Sequence, residues 1–184
     1  AAIRSTLAAS LDTMKLDRVD LFFLHSNICD DDYEYAHGNA HRAAFATPWS
    51  QYVGEVIPTF EALKTEGLIG GWALTGTGVP ATILKALDHD TKPDVIQAIA
   101  NLMDSPGGMR RYAEPAHPRE IIAAAMQHGV GVMGIRAVQH TSVDVKAFSS
   151  GELPLPWSRW EPVEFASYSF SRSHVYFACV DAFE

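Results

Sequence analysis

Four polar side chains in this sequence stand in or just beyond short apolar runs, and each is of a type that can act on a ligand. His25 closes the run Val19-Asp20-Leu21-Phe22-Phe23-Leu24; Thr75, followed by Gly76, ends Gly71 to Thr75; Gln97 sits inside Val95 to Ile99; Arg136 follows Val130 to Ile135. An imidazole at a strand end can donate a hydrogen bond to a substrate oxygen or shuttle a proton, and it can equally be satisfied by a backbone carbonyl. A buried glutamine must find partners. A flat polar ligand edge could supply them, as could an ordered water or a neighbouring strand end. Thr75 offers a hydroxyl, and Gly76 permits close approach or a sharp turn. Arg136 suits a phosphate or carboxylate, or an acidic side chain in a neighbouring loop. Asn101 and Asp104, beyond the third run, are open to both kinds of role.

Other chemistries find less support. His37 and His41 are four apart beside Asp30, Asp31, Asp32 and Glu34, but no glutamate-centred zinc signature is present and Gly38-Asn39 interrupts a helix, so no metal site is expected. Cys29 and Cys179 have no second cysteine nearby, and no Gly-x-Ser-x-Gly turn occurs. Fourteen basic residues against 22 acidic ones, a formal charge of −8, disfavour nucleic acid and anionic membrane surfaces; Arg110-Arg111 is the one basic start. No eighteen-residue apolar run spans a bilayer, and the expected location is the cytoplasm.

The elements that must position these residues follow from periodicity. Ile3, Leu7, Leu11 and Met14 predict a helix over the first fifteen residues, and Val19 to Leu24 a buried strand. Residues 26–50 read as a long irregular connection of the kind that forms binding loops. From Tyr52 a helical period returns through Val56, Phe60 and Leu63, stopped by Gly67. Strand Gly71 to Thr75, a helix begun by Pro80, strand Val95 to Ile99, a helix over Pro118 to Gln127 and strand Val130 to Ile135 complete an alternation that predicts parallel βα units. The candidates are a (β/α) barrel, or part of one, and a doubly wound sheet; the latter lacks a glycine-rich phosphate fingerprint after its first strand.

In this order the blocks resemble a known family. Leu11 to His25, the segment Glu61-Ala62-Leu63-Lys64-Thr65-Glu66-Gly67-Leu68-Ile69-Gly70, Asp94 to Asn101 and Gly129 to Val138 are similar to the fourth to seventh strand regions of the aldo-keto reductases. The resemblance implies an α/β fold, a TIM-barrel-like (β/α)8 arrangement that is partial or truncated here. Residues 1–138 would form the partial barrel, and 139–184 a divergent segment packed on the same domain. It implies an NADP or NAD cofactor and reduction of a small carbonyl substrate, an aldehyde or ketone, to an alcohol. His25 would be the catalytic histidine. Thr75, Gly76 and Gln97 would hold the nicotinamide amide, Ile135 would pack on its ring and Arg136 would lie beside the cofactor.

Two positions depart from the family: Gly76 where an asparagine is usual, and Ile135 where a tyrosine often stacks. The family's catalytic aspartate, tyrosine and lysine lie on three earlier strands, so the expectation is an incomplete or inactive isolated chain. Either a missing N-terminal portion or a homo-oligomer would then complete the sheet. The alternative is a non-catalytic barrel remnant, a binding or assembly module using an exposed sheet or the Trp157/Trp160 segment.

Overall fold

The computed structural model describes residues 2–35, 45–101, 104, 112 and 115–137. The expectations placed on His37, His41, Arg110, Arg111, Trp157, Trp160, Cys179 and the segment 139–184 lie outside the described residues.

Helix α1 (Ala2–Met14) precedes strand β1 (Val19–Leu24). Two short strands follow, β2 (Asn27–Cys29) and β3 (Ala46–Pro48). Helix α2 then runs in three pieces: α-helical Trp49–Gln51, π-helical Tyr52–Val56 and α-helical Ile57–Thr65. Strand β4 (Ile69–Thr75), helix α3 (Pro80–Asp88), strand β5 (Val95–Ile99), helix α4 (Pro118–Gln127) and strand β6 (Gly131–Ile135) complete the order.

Three helices are delivered into strands by the same device. At the end of α2 the amide of Gly67 reaches Lys64 O and that of Leu68 reaches Leu63 O; at the end of α4 the amide of Gly129 reaches Met126 O and that of Val130 reaches Ala125 O. These paired bonds require a left-handed residue, supplied by Gly67 (φ 76°) and Gly129 (φ 71°). After α1 the pattern recurs through Lys15 and Leu16, but Lys15 adopts φ 55° with a Cβ in place. That conformation costs a non-glycine residue about 1 kcal/mol.

Strands β1, β4, β5 and β6 form one four-stranded sheet in that order, every pair parallel. Side chains alternate between its faces. Phe22, Leu24, Trp72, Leu74, Ile96, Ala98 and Val132 join the apolar cluster that holds Phe60 and Leu63 of α2, Ile83 and Leu87 of α3, and Ile121 and Ala125 of α4. Helices therefore cover this face. The opposite face carries Phe23, Ala73 and Val95 at one level, then Thr75, Gln97 and Met133, then Ile99 and Ile135. Parallel strands with covering helices, each βα unit adjacent to the next, are the arrangement from which a TIM barrel is built, and this chain has part of it.

The region between β1 and α2 differs from expectation. Residues 26–50 are not wholly irregular: β2 and β3 pair in parallel, Ile28 opposite Thr47, as a separate two-stranded sheet. Ser26 Oγ and Thr47 Oγ1 share a hydrogen bond at 2.9 Å beside it. The helix begins at Trp49, earlier than Tyr52, because Asp31 Oδ1 accepts hydrogen bonds from the backbone amide and hydroxyl of Ser50 at 3.0 and 2.7 Å. A cap supplied from 19 residues away leaves no local sequence signature.

Candidate active site

The C-terminal ends of the parallel strands gather the residues of interest. Leu24 pairs with Leu74, so His25 stands one residue further, at the level of Thr75. Thr75 pairs with Gln97, and Gln97 with Met133. Four neighbouring strands thus bring His25, Thr75, Gln97 and Met133 into one row at one end of the sheet, where α/β proteins place their ligands. Ile135 pairs with Ile99 on the same face, two residues further along. Arg136 follows directly, half-buried and left-handed at φ 61°.

The row is unevenly satisfied. Thr75 is 5% exposed, and its Oγ1 has no hydrogen-bond partner among the described residues. A buried hydroxyl left in this state costs about 1–3 kcal/mol. The Gln97 side chain is half-buried, and among the described residues its one hydrogen bond runs from Nε2 to Met133 Sδ at 3.8 Å. His25 is exposed, with no hydrogen bond to its ring among the described residues. A hydroxyl and a carboxamide on adjacent strands, both with capacity to spare, suit a planar ligand bearing its own carboxamide. The orphaned Thr75 oxygen, in register with the Gln97 carboxamide, is the group that a nicotinamide carboxamide would meet here.

Gly76 contributes backbone alone. Its amide donates to Gln97 O at 2.7 Å, extending the β4–β5 pairing past Thr75. A Cβ at this position would lie 2.3 Å from Gln97 O and 2.9 Å from Ile96 Cγ1. No side chain fits, so an asparagine is excluded with this backbone. The departure at Gly76 is thus structural: the two strands close where a second carboxamide would otherwise project.

Of the two residues left open beyond β5, Asp104 Oδ2 pairs with Arg119 Nε at 2.5 Å and Asn101 is buried. Among the described residues no group of three or more His, Cys, Asp or Glu could hold a metal ion, and no helix is long and apolar enough to cross a membrane. Cys29 is buried with Tyr35, Val79 and Tyr112 in a second, smaller cluster.

Met133 was invisible as a site residue in the sequence. Its parity with Ile135 along the strand would have placed it on the ligand face, but the level it occupies depends on inter-strand register.

The aldo/keto reductase family model matches residues 1–152. The chain belongs to the aldo/keto reductase family. Solved relatives include aldo-keto reductase AKR11C1 from Bacillus halodurans in its apo form, 21% identical over 92% of this chain and 47% of that one, with a TM-score of 0.49. The Bombyx mori aldo-keto reductase AKR2E4 in complex with NADP is 18% identical over 71% of this chain and 35% of that one, TM-score 0.45. The aldose reductase of Giardia lamblia is 17% identical over 80% and 48%, TM-score 0.45. No curated protein matches. The chain spans less than half the length of these three aldo-keto reductases.

Proposed function

We propose that this chain carries the nicotinamide-binding and carbonyl-orienting part of an NAD(P)H-dependent oxidoreductase that reduces an aldehyde or ketone to an alcohol, acting in the cytoplasm. The observation that carries the reading is the buried Thr75 hydroxyl, unpartnered among the described residues, in register with the Gln97 carboxamide. Together they would hold the carboxamide of the cofactor, with Ile135 packing on the ring and Arg136 at the edge of the site. When bound, a reduced nicotinamide supplies the hydride equivalent that the carbonyl carbon takes up.

The chain's own residues bind and orient. Exposed at the end of β1, His25 would direct a ring N–H to the substrate carbonyl oxygen and favour the negative charge that grows there. The parallel strands would fix its position relative to Thr75 and Gln97, contributing through orientation. The family's catalytic aspartate, tyrosine and lysine have no counterpart assigned among the described residues, and a separate portion of polypeptide carrying the family's earlier strands would supply them.

Titration with NADPH and with NADH tests the reading. Quenching of tryptophan fluorescence with saturable binding is the expected result. Absence of binding by either nucleotide at millimolar concentration would overturn it.

Gly76 and Ile135 favour a second reading. At these two positions the side-chain amide and the aromatic ring expected of the family are missing, which suits a non-catalytic barrel relative serving as a binding or assembly module. That reading predicts a folded chain that binds neither nucleotide.

A further inference from the structure

Gln97 can serve a ligand only if its carboxamide is turned the right way, and an amide on a flexible stem has two near-equivalent orientations. In this molecule something distinguishes them. Met133 is the register partner of Gln97 on the neighbouring strand, and its sulfur lies 3.8 Å from Gln97 Nε2. A thioether accepts hydrogen bonds and cannot donate them, so it pairs with the NH₂ group and has nothing to offer the oxygen. Both residues are half-buried, so the sulfur competes with limited water.

We infer that Met133 is a positioning residue for Gln97: its sulfur fixes the amide with Nε2 toward β6, leaving Oε1 and the second N–H for a ligand carboxamide. The inference rests on the nicotinamide reading for its consequence, while the Met133–Gln97 contact stands independently of it. It also explains the composition of the row. Among the described residues Thr75 keeps a hydroxyl without a partner, whereas the Gln97 side chain has one hydrogen bond, weak enough to hold an orientation without consuming the group's capacity. The effect of Met133 passes through Gln97.

The test compares the wild-type chain with Met133→Leu, which keeps apolar volume and removes the acceptor, and with Met133→Gln, which restores an acceptor of different chemistry. The first readout is the side-chain NH₂ pair of Gln97 in a ¹⁵N–¹H correlation spectrum, assigned through Gln97→Glu. Met133→Leu is expected to shift and broaden this pair while backbone amides of α1 and α3 stay in place, and Met133→Gln to restore a single sharp pair. The second readout is NADPH affinity, expected to weaken about threefold to tenfold in Met133→Leu and to recover in Met133→Gln. An unchanged Gln97 NH₂ pair in Met133→Leu would overturn the positioning role. If the wild type binds no nucleotide, the nicotinamide reading fails, and the NMR comparison still decides whether Met133 orients Gln97. Should Met133→Leu unfold, Met133→Gln and the wild type at natural methionine abundance versus selective ¹³C-methyl labelling decide it: no through-space contact between the Met133 methyl and the Gln97 NH₂ protons overturns the assignment.

Discussion

The two ends of the four-stranded sheet are built to different rules. At the end where the strands begin, polar groups are used up. Asp94 Oδ2 accepts the backbone amide of Trp72 at 2.9 Å, and both oxygens of Asp94 meet Lys64 Nζ at 2.7 and 2.9 Å. The Trp72 indole donates to Glu61 Oε1 at 2.6 Å, and Arg4 grips Glu66 through two bonds of 2.7 and 2.6 Å, tying α1 to α2. At the end where the strands finish, Thr75 has no partner for its hydroxyl among the described residues, Gln97 holds a sulfur, and His25 is exposed. The contrast is one of satisfaction: one end is satisfied internally, and the other leaves hydrogen-bonding capacity unused among the described residues.

Substitutions can break or sharpen that contrast. The largest effect is expected at Gly76. Gly76→Ala places a Cβ against Gln97 O and forces β4 from β5, costing about 2–4 kcal/mol in a denaturant titration and abolishing nucleotide binding. Trp72→Phe removes the indole bond to Glu61 and part of the stack on Phe60, whose ring centroid lies 5.3 Å away. A loss of about 1–3 kcal/mol with nucleotide affinity retained would mark the satisfied end as structural.

Thr75→Val should do the reverse, and the crossing of signs is the sharpest comparison. Removing an unpartnered buried oxygen should leave the melting temperature unchanged or raised, while NADPH affinity falls about tenfold. If stability drops and affinity holds, the two ends do not divide their labour. Lys15→Gly, far from the row, should stabilise by about 0.5–1 kcal/mol in thermal unfolding by relieving the left-handed backbone after α1.

The smallest effect is tied to pH. Glu66 is held below the usual carboxylate range by its hydrogen bonds from Arg4. A depressed carboxyl adds stability above its unfolded value, and that stability is lost as pH falls through the folded value. Arg4→Ala should therefore lower stability slightly at neutral pH, the pair being exposed, and leave it unchanged below the folded value, so that the acid side of the profile flattens. Tyr52 behaves oppositely. Burial raises its hydroxyl above the ordinary value, so its contribution is present below the unfolded value and fades at alkaline pH, and Tyr52→Phe should blunt alkaline unfolding.

Much of this architecture was legible from residue types. The alternation of apolar strands with helices, the glycines at 67 and 129 and the prolines at 80 and 118 all mark local events, and the elements expected from them begin within two residues of the observed ones except at α2. His25 and Thr75 could be placed at strand ends, and Gln97 within its strand, for the same reason. What stayed hidden depends on distance in sequence. The β2–β3 pair, the Asp31 cap on α2, the closure of Gly76 on Gln97 O and the level of Met133 all arise between segments whose register no local pattern encodes.

The π-helical stretch Tyr52–Val56 carries a consequence of its own. Wider winding over five residues resets the angular phase of the helix, by about 100° for each residue added or removed. Downstream, Phe60 and Leu63 point to the sheet; upstream, Trp49 lies beneath Lys85 Nζ, 4.0 Å from its ring centre. The stretch therefore lets both segments of one helix bury side chains in a single core, Trp49 before the change of phase and Phe60 and Leu63 after it.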